Sequence, residues 1–177
     1  MPPFTLPVSV TVDGKPYAIR SDFRTVLDIL VMLSVPDLTN ADKTEALLRM
    51  FYVQRPPETA AAVEAAVRFI NPRQNAPKRP NLVDWEQDFP LMAAPINRIL
   101  GFDCRGSTEL HWHSFLSAFL EIGSETLYGR VLRVREKLKT GKKLEKYERE
   151  FLRRNRDLVL LPSRCSTAEQ EILEDWT

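Results

Sequence analysis

The 177-residue sequence is poor in several residue types on which whole classes of activity depend. It has only six glycines, and no Walker A, Gly-x-Gly-x-x-Gly or Gly-x-Ser-x-Gly string occurs. That argues against a glycine-rich phosphate cradle and against a nucleophile elbow. Its two cysteines, Cys104 and Cys165, stand far apart with no Cys-x-x-Cys spacing. Two free thiols are expected, rather than a disulfide framework or a structural zinc site. The two histidines, His111 and His113, flank Trp112. On a helix, residues two apart point roughly 200° apart, so the pair is not expected to share a metal. One is expected at the surface and the other at the edge of a packed face. The longest apolar run, Ile29 to Leu33, is far short of the roughly 18 residues of a spanning helix. The first six residues show neither the basic nor the apolar region of a signal peptide. These absences set the expectation of a cytoplasmic protein with no cofactor, no metal and no membrane partner.

What remains is an ordinary globular composition, 44% apolar and 28% charged. The length suits one domain or two small halves. The net charge of +1 is a sum of opposed parts. Residues 1–124 hold 12 bases and 14 acids, net −2; residues 125–156 hold 12 and 5, net +7; residues 157–177 hold 1 and 5, net −4. A basic segment and an acidic end are therefore joined to a nearly neutral front.

The spacing predicts a mainly α fold of the α+β kind, a helical bundle-like domain with an N-terminal β-hairpin. Val8, Val10 and Val12 alternate with Ser9 and Thr11, Asp13-Gly14 supplies a tight turn, and Tyr17 and Ile19 alternate on the return strand. Ser21 or Asp22 caps a helix to about Leu33, with Phe23, Val26, Leu27, Leu30 and Val31 at helical spacing. A second helix, capped by Thr39 or Asn40, carries Ala46, Leu47, Met50 and Phe51 and stops before Arg55-Pro56-Pro57. A third, Ala-rich helix from Glu58 presents Val63, Val67 and Ile70. Residues 71–80, with three prolines and no apolar periodicity, are the clearest linker. The expected organisation is an N-terminal half over 1–70, a linker over 71–84, a helical half over 85–162 and an acidic tail over 163–177.

In the second half, Trp85 to Leu100 has helical periodicity interrupted by Pro90 and Pro95, which predicts a kinked or broken helix. Ser107 or Thr108 is expected to open the next helix, whose Trp112, Phe115, Leu116, Phe119 and Leu120 form the strongest apolar face in the chain. Gly123 suits a C-terminal cap and Ser124 the start of the following helix. There Leu127, Val131, Val134 and Leu138 form a stripe, with Arg130, Arg133, Arg135, Lys137 and Lys139 mostly on other faces. Leu144, Tyr147 and Phe151 continue a second stripe among Lys146, Arg149, Arg153 and Arg154.

No catalytic constellation emerges, and the sequence predicts a non-enzyme. Asp84, Glu86 and Asp88 read as first-turn acids at a helix's positive end. The basic stretch over residues 130–156 has three readings: a solvated helical face, a protein-partner surface, or a nucleic-acid-binding surface, the last being the least favoured. Candidate partner-binding residues are Trp112, Phe115 and Phe119 on the aromatic face. On the basic helices they are Arg130, Arg133, Lys137, Lys146, Arg149 and Arg153.

The order of motifs over roughly residues 8–162 resembles a bacteriophage and prophage family encoded in the tail module of long-tailed phages. The resemblance is carried by the hairpin leading into Tyr17-Ala18-Ile19-Arg20-Ser21-Asp22-Phe23-Arg24, then Asp84-Trp85-Glu86-Gln87-Asp88 and Ile99-Leu100-Gly101-Phe102-Asp103. Leu110-His111-Trp112-His113-Ser114-Phe115 and Tyr128-Gly129-Arg130 complete it. Family members carry two aromatics where this chain has Trp112 and His113. The resemblance implies a tail assembly chaperone that binds the tape-measure protein and self-associates. A structural tail component is the alternative within the same setting.

Overall fold

The computed structural model describes residues 5–57, 59–72, 81–107 and 109–162. Its first turn follows directly from two residues. In the antiparallel pair β1 (Ser9–Val12) and β2 (Lys15–Ala18), Val12 faces Lys15, leaving Asp13 and Gly14 as a two-residue loop. Their φ values of 47° and 78° are the left-handed pair that a twisted hairpin requires, and Gly14 adopts its value without steric cost.

The chain divides into two units. The first holds the hairpin and three helices, α1 (Phe23–Leu33), α2 (Asn40–Phe51) and α3 (Ala60–Ile70), with β1 against α3, α3 against α2 and α2 against α1. Each helix start is closed by a side chain. Asp22 accepts the Arg24 amide, Thr39 accepts the Asp42 amide while Asp42 returns the bond to Thr39, and Thr59 accepts the Ala62 amide. Such caps contribute about 1 kcal/mol each. The C-terminal carbonyls of α2 are met by Arg20, whose guanidinium donates to Arg49 and Met50 at 3.0 Å. Phe23, Val26, Ile29, Leu48, Phe51 and Tyr52 fill the core. The Tyr52 hydroxyl donates to the Ala62 carbonyl at 2.8 Å, and burial pushes the phenol up to about 12. In α3 the buried face is Ala62, Ala66, Phe69 and Ile70, whereas Val67 is exposed. The expected valine stripe is displaced because alanines let the neighbouring backbone approach closely enough to claim that face.

The second unit contains α4 (Trp85–Leu100), the part of α5 (Trp112–Leu120) from Ser114 on, α6 (Leu127–Lys139), α7 (Lys146–Arg154) and the single turn α8 (Arg156–Val159). The architecture is thus mainly α, with eight helices among the described residues and one small hairpin. No helix among them is long and apolar enough to cross a membrane. Residues 73–80 of the expected linker, and the acidic segment 163–177, lie outside the described residues.

Several expected boundaries differ. The α4 helix runs unbroken through Pro90 and Pro95. Pro90 is exposed, so water can reach the carbonyl its missing N–H leaves free. Ser107 does not open α5, which begins at Trp112; Thr108 lies outside the described residues. The α6 cap is Thr126, not Ser124, with its hydroxyl accepting the Gly129 amide at 2.9 Å. A Cβ on Gly129 would sit 2.4 Å from the Gly123 carbonyl, so this glycine is required by close backbone approach. The inward face of α6 is Tyr128, Val131, Val134 and Arg135, while Leu127 and Leu138 are exposed. In α7, Tyr147 is likewise exposed and Glu148 is buried.

Arg135 was expected on a solvated face, but it is 2% exposed and paired with fully buried Asp88. Its Nη1 and Nη2 donate to the two Asp88 oxygens at 2.6 and 2.8 Å. The other three N–H groups go to the Leu82, Val159 and Leu158 carbonyls at 2.7 to 2.8 Å. All five donors of the guanidinium are therefore used. Asp88 also accepts the Asp84 amide at 3.0 Å and the Tyr128 hydroxyl at 3.3 Å. Burial, reinforced by the neighbouring Asp88 carboxylate, holds the Tyr128 phenol well above its ordinary range. Asp84 itself caps α4 by accepting the Glu86 and Gln87 amides.

Breaking this pair from one side leaves a buried charge alone. Urea unfolding of Arg135→Ala is expected to show a loss of about 3–5 kcal/mol. The apolar double replacement Asp88→Leu/Arg135→Met should lose less than Arg135→Ala alone, because no charge remains buried. Equal losses in the two would contradict the burial described here.

Candidate functional site

The basic helices form a cleft in the second unit. Its volume is about 620 Å³, and α6 and α7 supply most of its walls. Val134 and Phe151 line it, so it rests on the apolar cluster of Val131, Val134 and Val159, against which Phe151 packs. Arg130 and Arg133 come from α6, Tyr147, Glu150 and Arg154 from α7, and Ser124 and Glu125 from the turn before α6. The helical repeat explains the α7 set: residues 147, 151 and 154 recur on one side of the helix.

Glu148 is the unusual member. It is 1% exposed, yet it is a carboxylate in a strongly basic stretch. Its Oε2 accepts the Lys137 ammonium at 2.7 Å and the Glu145 amide at 2.8 Å. The Lys137 hydrogen bond, then the Glu145 amide, hold its carboxyl below the usual range, and Glu148 in turn raises Lys137. Its Oε1 is buried with no hydrogen-bond partner, and among the described residues no other buried side-chain oxygen or nitrogen is left so.

The nine candidate residues fall into distinct places. Trp112 and Phe115 are buried core side chains, not surface groups, because the aromatic face of α5 is what the helix packs inward. Phe119 is half-buried, its ring 5.0 Å from Trp85 and 6.2 Å from Tyr128. Arg130 and Arg133 meet in the cleft. Lys137 does not line the cleft but pairs with Glu148, which does, and lies 3.8 Å from Glu145. Lys146, Arg149 and Arg153 do not line the cleft; Arg149 donates to the Leu144 carbonyl at 2.7 Å. Arg154, not singled out from sequence, lines it and pairs with Glu150 at 2.6 Å. Glu148 was also missed. Its one sequence signal is position: an acid three residues into a helix start, where a carboxylate can return to the preceding amide.

The His111-Trp112-His113 triplet belongs to the first unit, and its polar atoms meet backbone. The Trp112 indole N–H donates to the Ile70 carbonyl at 2.9 Å, and a His113 ring nitrogen lies 2.9 Å from the Phe69 carbonyl. Both bonds cover the C-terminal carbonyls of α3, where orphan acceptors are expected. His111 Nδ1 accepts the His113 amide at 3.0 Å, so its Nε2 must carry the proton that faces the Pro7 carbonyl at 2.9 Å. Both contacts are satisfied only by the neutral ring. Burial lowers the His111 pKa, against a smaller rise from Pro7. No group of three or more metal-ligating side chains occurs among the described residues. Of the two cysteines, Cys104 is buried and Cys165 lies outside the described residues.

Comparison with protein families finds residues 5–92 similar to the family described as Bacteriophage Gp15 protein. The chain thus resembles a bacteriophage protein family over its hairpin, α1 to α3 and the start of α4, including Asp84 and Asp88. The cleft lies beyond the matched residues. Comparisons with curated proteins and with solved structures return no match.

The His111 geometry gives a pH dependence with a definite sign. The folded pKa lies below the ordinary value of about 6.5. The unfolded chain therefore binds more protons in that window, and stability falls as pH drops below about 6.5. Urea midpoints measured from pH 7.5 to 5 should decline less in His111→Asn, whose amide oxygen can still accept the His113 amide, than in the parent chain. Identical slopes would remove the assignment.

Proposed function

We propose that the chain is a non-enzymatic, tail assembly chaperone-like protein of a bacteriophage. In this reading it binds the tape-measure protein during tail assembly in the host cytoplasm and associates with further copies of itself. The observation that carries the phage setting is the similarity of residues 5–92 to a bacteriophage family. The narrower role is supported by the order of motifs extending past that match, and by the character of the cleft. A chaperone of a long helical client needs a surface joining apolar contact to charge, and no reaction centre. The α6 and α7 helices offer this: Tyr147 and Phe151 beside Arg130 and Arg133, with Leu127 and Leu138 exposed on α6.

The same residues bear on the nucleic-acid alternative. Glu125, Glu148 and Glu150 line the cleft among the arginines, so a phosphate backbone laid there would meet three carboxylates. That composition favours a polypeptide, which brings donors and acceptors together. Arg135, buried, and Lys137, paired, are also withdrawn from any phosphate contact.

Co-purification of the full chain with a tape-measure fragment tests this reading, and retention is the expected result. Arg130→Glu/Arg133→Glu should weaken retention about tenfold or more, whereas Arg153→Glu, away from the cleft, should leave it within about twofold; tenfold corresponds to about 1.4 kcal/mol. No retention of the parent chain would remove the proposal. Sub-micromolar DNA binding with a steep salt slope would move the assignment to nucleic acid. Stable presence in purified particles would move it to a structural tail component.

A further inference from the structure

The hairpin of the first unit has two edges, and they are finished differently. Ile19 donates its amide to the Val8 carbonyl at 3.0 Å, which sets the alternation of the ladder. Val10 with Tyr17, and Val12 with Lys15, are then the pairs that exchange hydrogen bonds inside the hairpin. The backbone polar groups of Ser9 and Thr11 on β1, and of Pro16 and Ala18 on β2, point away from it. The β2 edge is closed. Pro16 has no N–H to offer, the Ala18 carbonyl accepts the Val53 amide at 3.0 Å, and Ile19 bridges to Tyr52. On the β1 edge, no hydrogen bond from any described residue reaches the backbone of Ser9 or Thr11. Natural sheets blunt such edges with charge, above all lysine, or with proline. The β2 strand carries Lys15 and Pro16, but residues 1–12 hold no charged side chain in a chain that is 28% charged. Thr11 is exposed, and Val8 is 65% exposed although its face turns inward at buried Val12.

We propose that β1 is a self-association surface: two copies pair their β1 strands antiparallel about a two-fold axis at Val10, joining two hairpins into one four-stranded sheet. In this register Ser9 of each copy lies opposite Thr11 of the other, and the two pairs exchange roughly four backbone hydrogen bonds. Pro7, the next outward position, has no N–H and ends the ladder there. The strand is complementary to itself. Val8, Val10 and Val12 share one face and Ser9 and Thr11 the other, and the two-fold operation sets valine beside valine. The missing charge decides the occupant. A second copy brings the same uncharged stretch, so like meets like with no repulsion to overcome. Such pairing is isologous and uses the open edge of each hairpin, so it stops at a dimer instead of growing. The contact is short, which suits a reversible association, not a permanent one. The inference rests on the self-association within the proposed function and gives it a surface; client binding is a separate matter.

The test uses the full chain without any partner. Sedimentation from about 5 µM to about 500 µM should show monomer passing into dimer. Over the same range, the Ser9 and Thr11 amides should exchange with solvent slowly only where the dimer is populated, whereas those of Val10 and Val12 stay slow throughout. Ser9→Pro/Thr11→Pro removes only outward N–H groups, as Pro16 does on β2, so the hairpin is kept. Its dimer dissociation constant should rise about tenfold or more, with the Val10 and Val12 amides still protected. Val8→Lys, at an exposed position, places a charge on the edge and should weaken the dimer in the same direction. A monomer at every concentration would overturn the proposal. So would a dimer unmoved by both variants, which would leave self-association to another surface, or growth past the dimer. Protection of Ser9 and Thr11 only in the presence of a tape-measure fragment would overturn it in favour of a client strand. Retention of that fragment by Ser9→Pro/Thr11→Pro is scored separately, so failure of the pairing and failure of the chaperone reading are told apart.

Discussion

A buried guanidinium tolerates few arrangements, and that constraint organises the second unit. Arg135 is held by one carboxylate and three backbone carbonyls, each at hydrogen-bonding distance. Those carbonyls come from the strand-like approach to α4 and from α8, so one side chain of α6 fixes both. An isolated buried ion pair adds little stability over a hydrophobic replacement. Its value here is positional. With Arg135 turned inward, the helical repeat turns Arg130 and Arg133 outward, and these become the cationic wall of the cleft.

Much of the architecture was legible because it follows from local chemistry. The Asp13-Gly14 loop and the Asp22 and Thr39 caps each rest on one residue's backbone or side-chain preference. Partnership was not legible. Periodicity treats every arginine as a surface residue, so it placed Arg135 in solvent and gave Leu127 and Leu138 its inward positions. The error runs the other way in α3, where alanines outcompete valines for burial because small side chains permit close approach. The prolines of α4 predict a kinked or broken helix, whereas the helix is continuous and an exposed Pro90 needs only water at the carbonyl it frees.

The candidate site was half visible for the same reason. Arg130 and Arg133 stood out by charge, and they do share a wall of the cleft. Lys146, Arg149 and Arg153 stood out equally but lie elsewhere on α7. What gives the cleft its chemistry is Glu148, an acid whose burial depends on Lys137 eleven residues earlier. Such a pairing is a tertiary fact. The histidine triplet, expected to divide between the surface and the edge of a packed face, closes the end of α3 and holds Pro7, and both of its histidines are half-buried.

The short helix α8 has one further implication. A four-residue turn has no stability of its own, and here it is gripped by side chains from two longer helices. Gln87 of α4 donates to the Asp157 and Leu160 carbonyls, and Arg135 of α6 to those of Leu158 and Val159. Four consecutive carbonyls, of residues 157 to 160, are thus held by two side chains. Releasing α8 would strand the donors of Gln87 and of buried Arg135 together. The turn is therefore expected to open with the core of the second unit rather than fray independently of it.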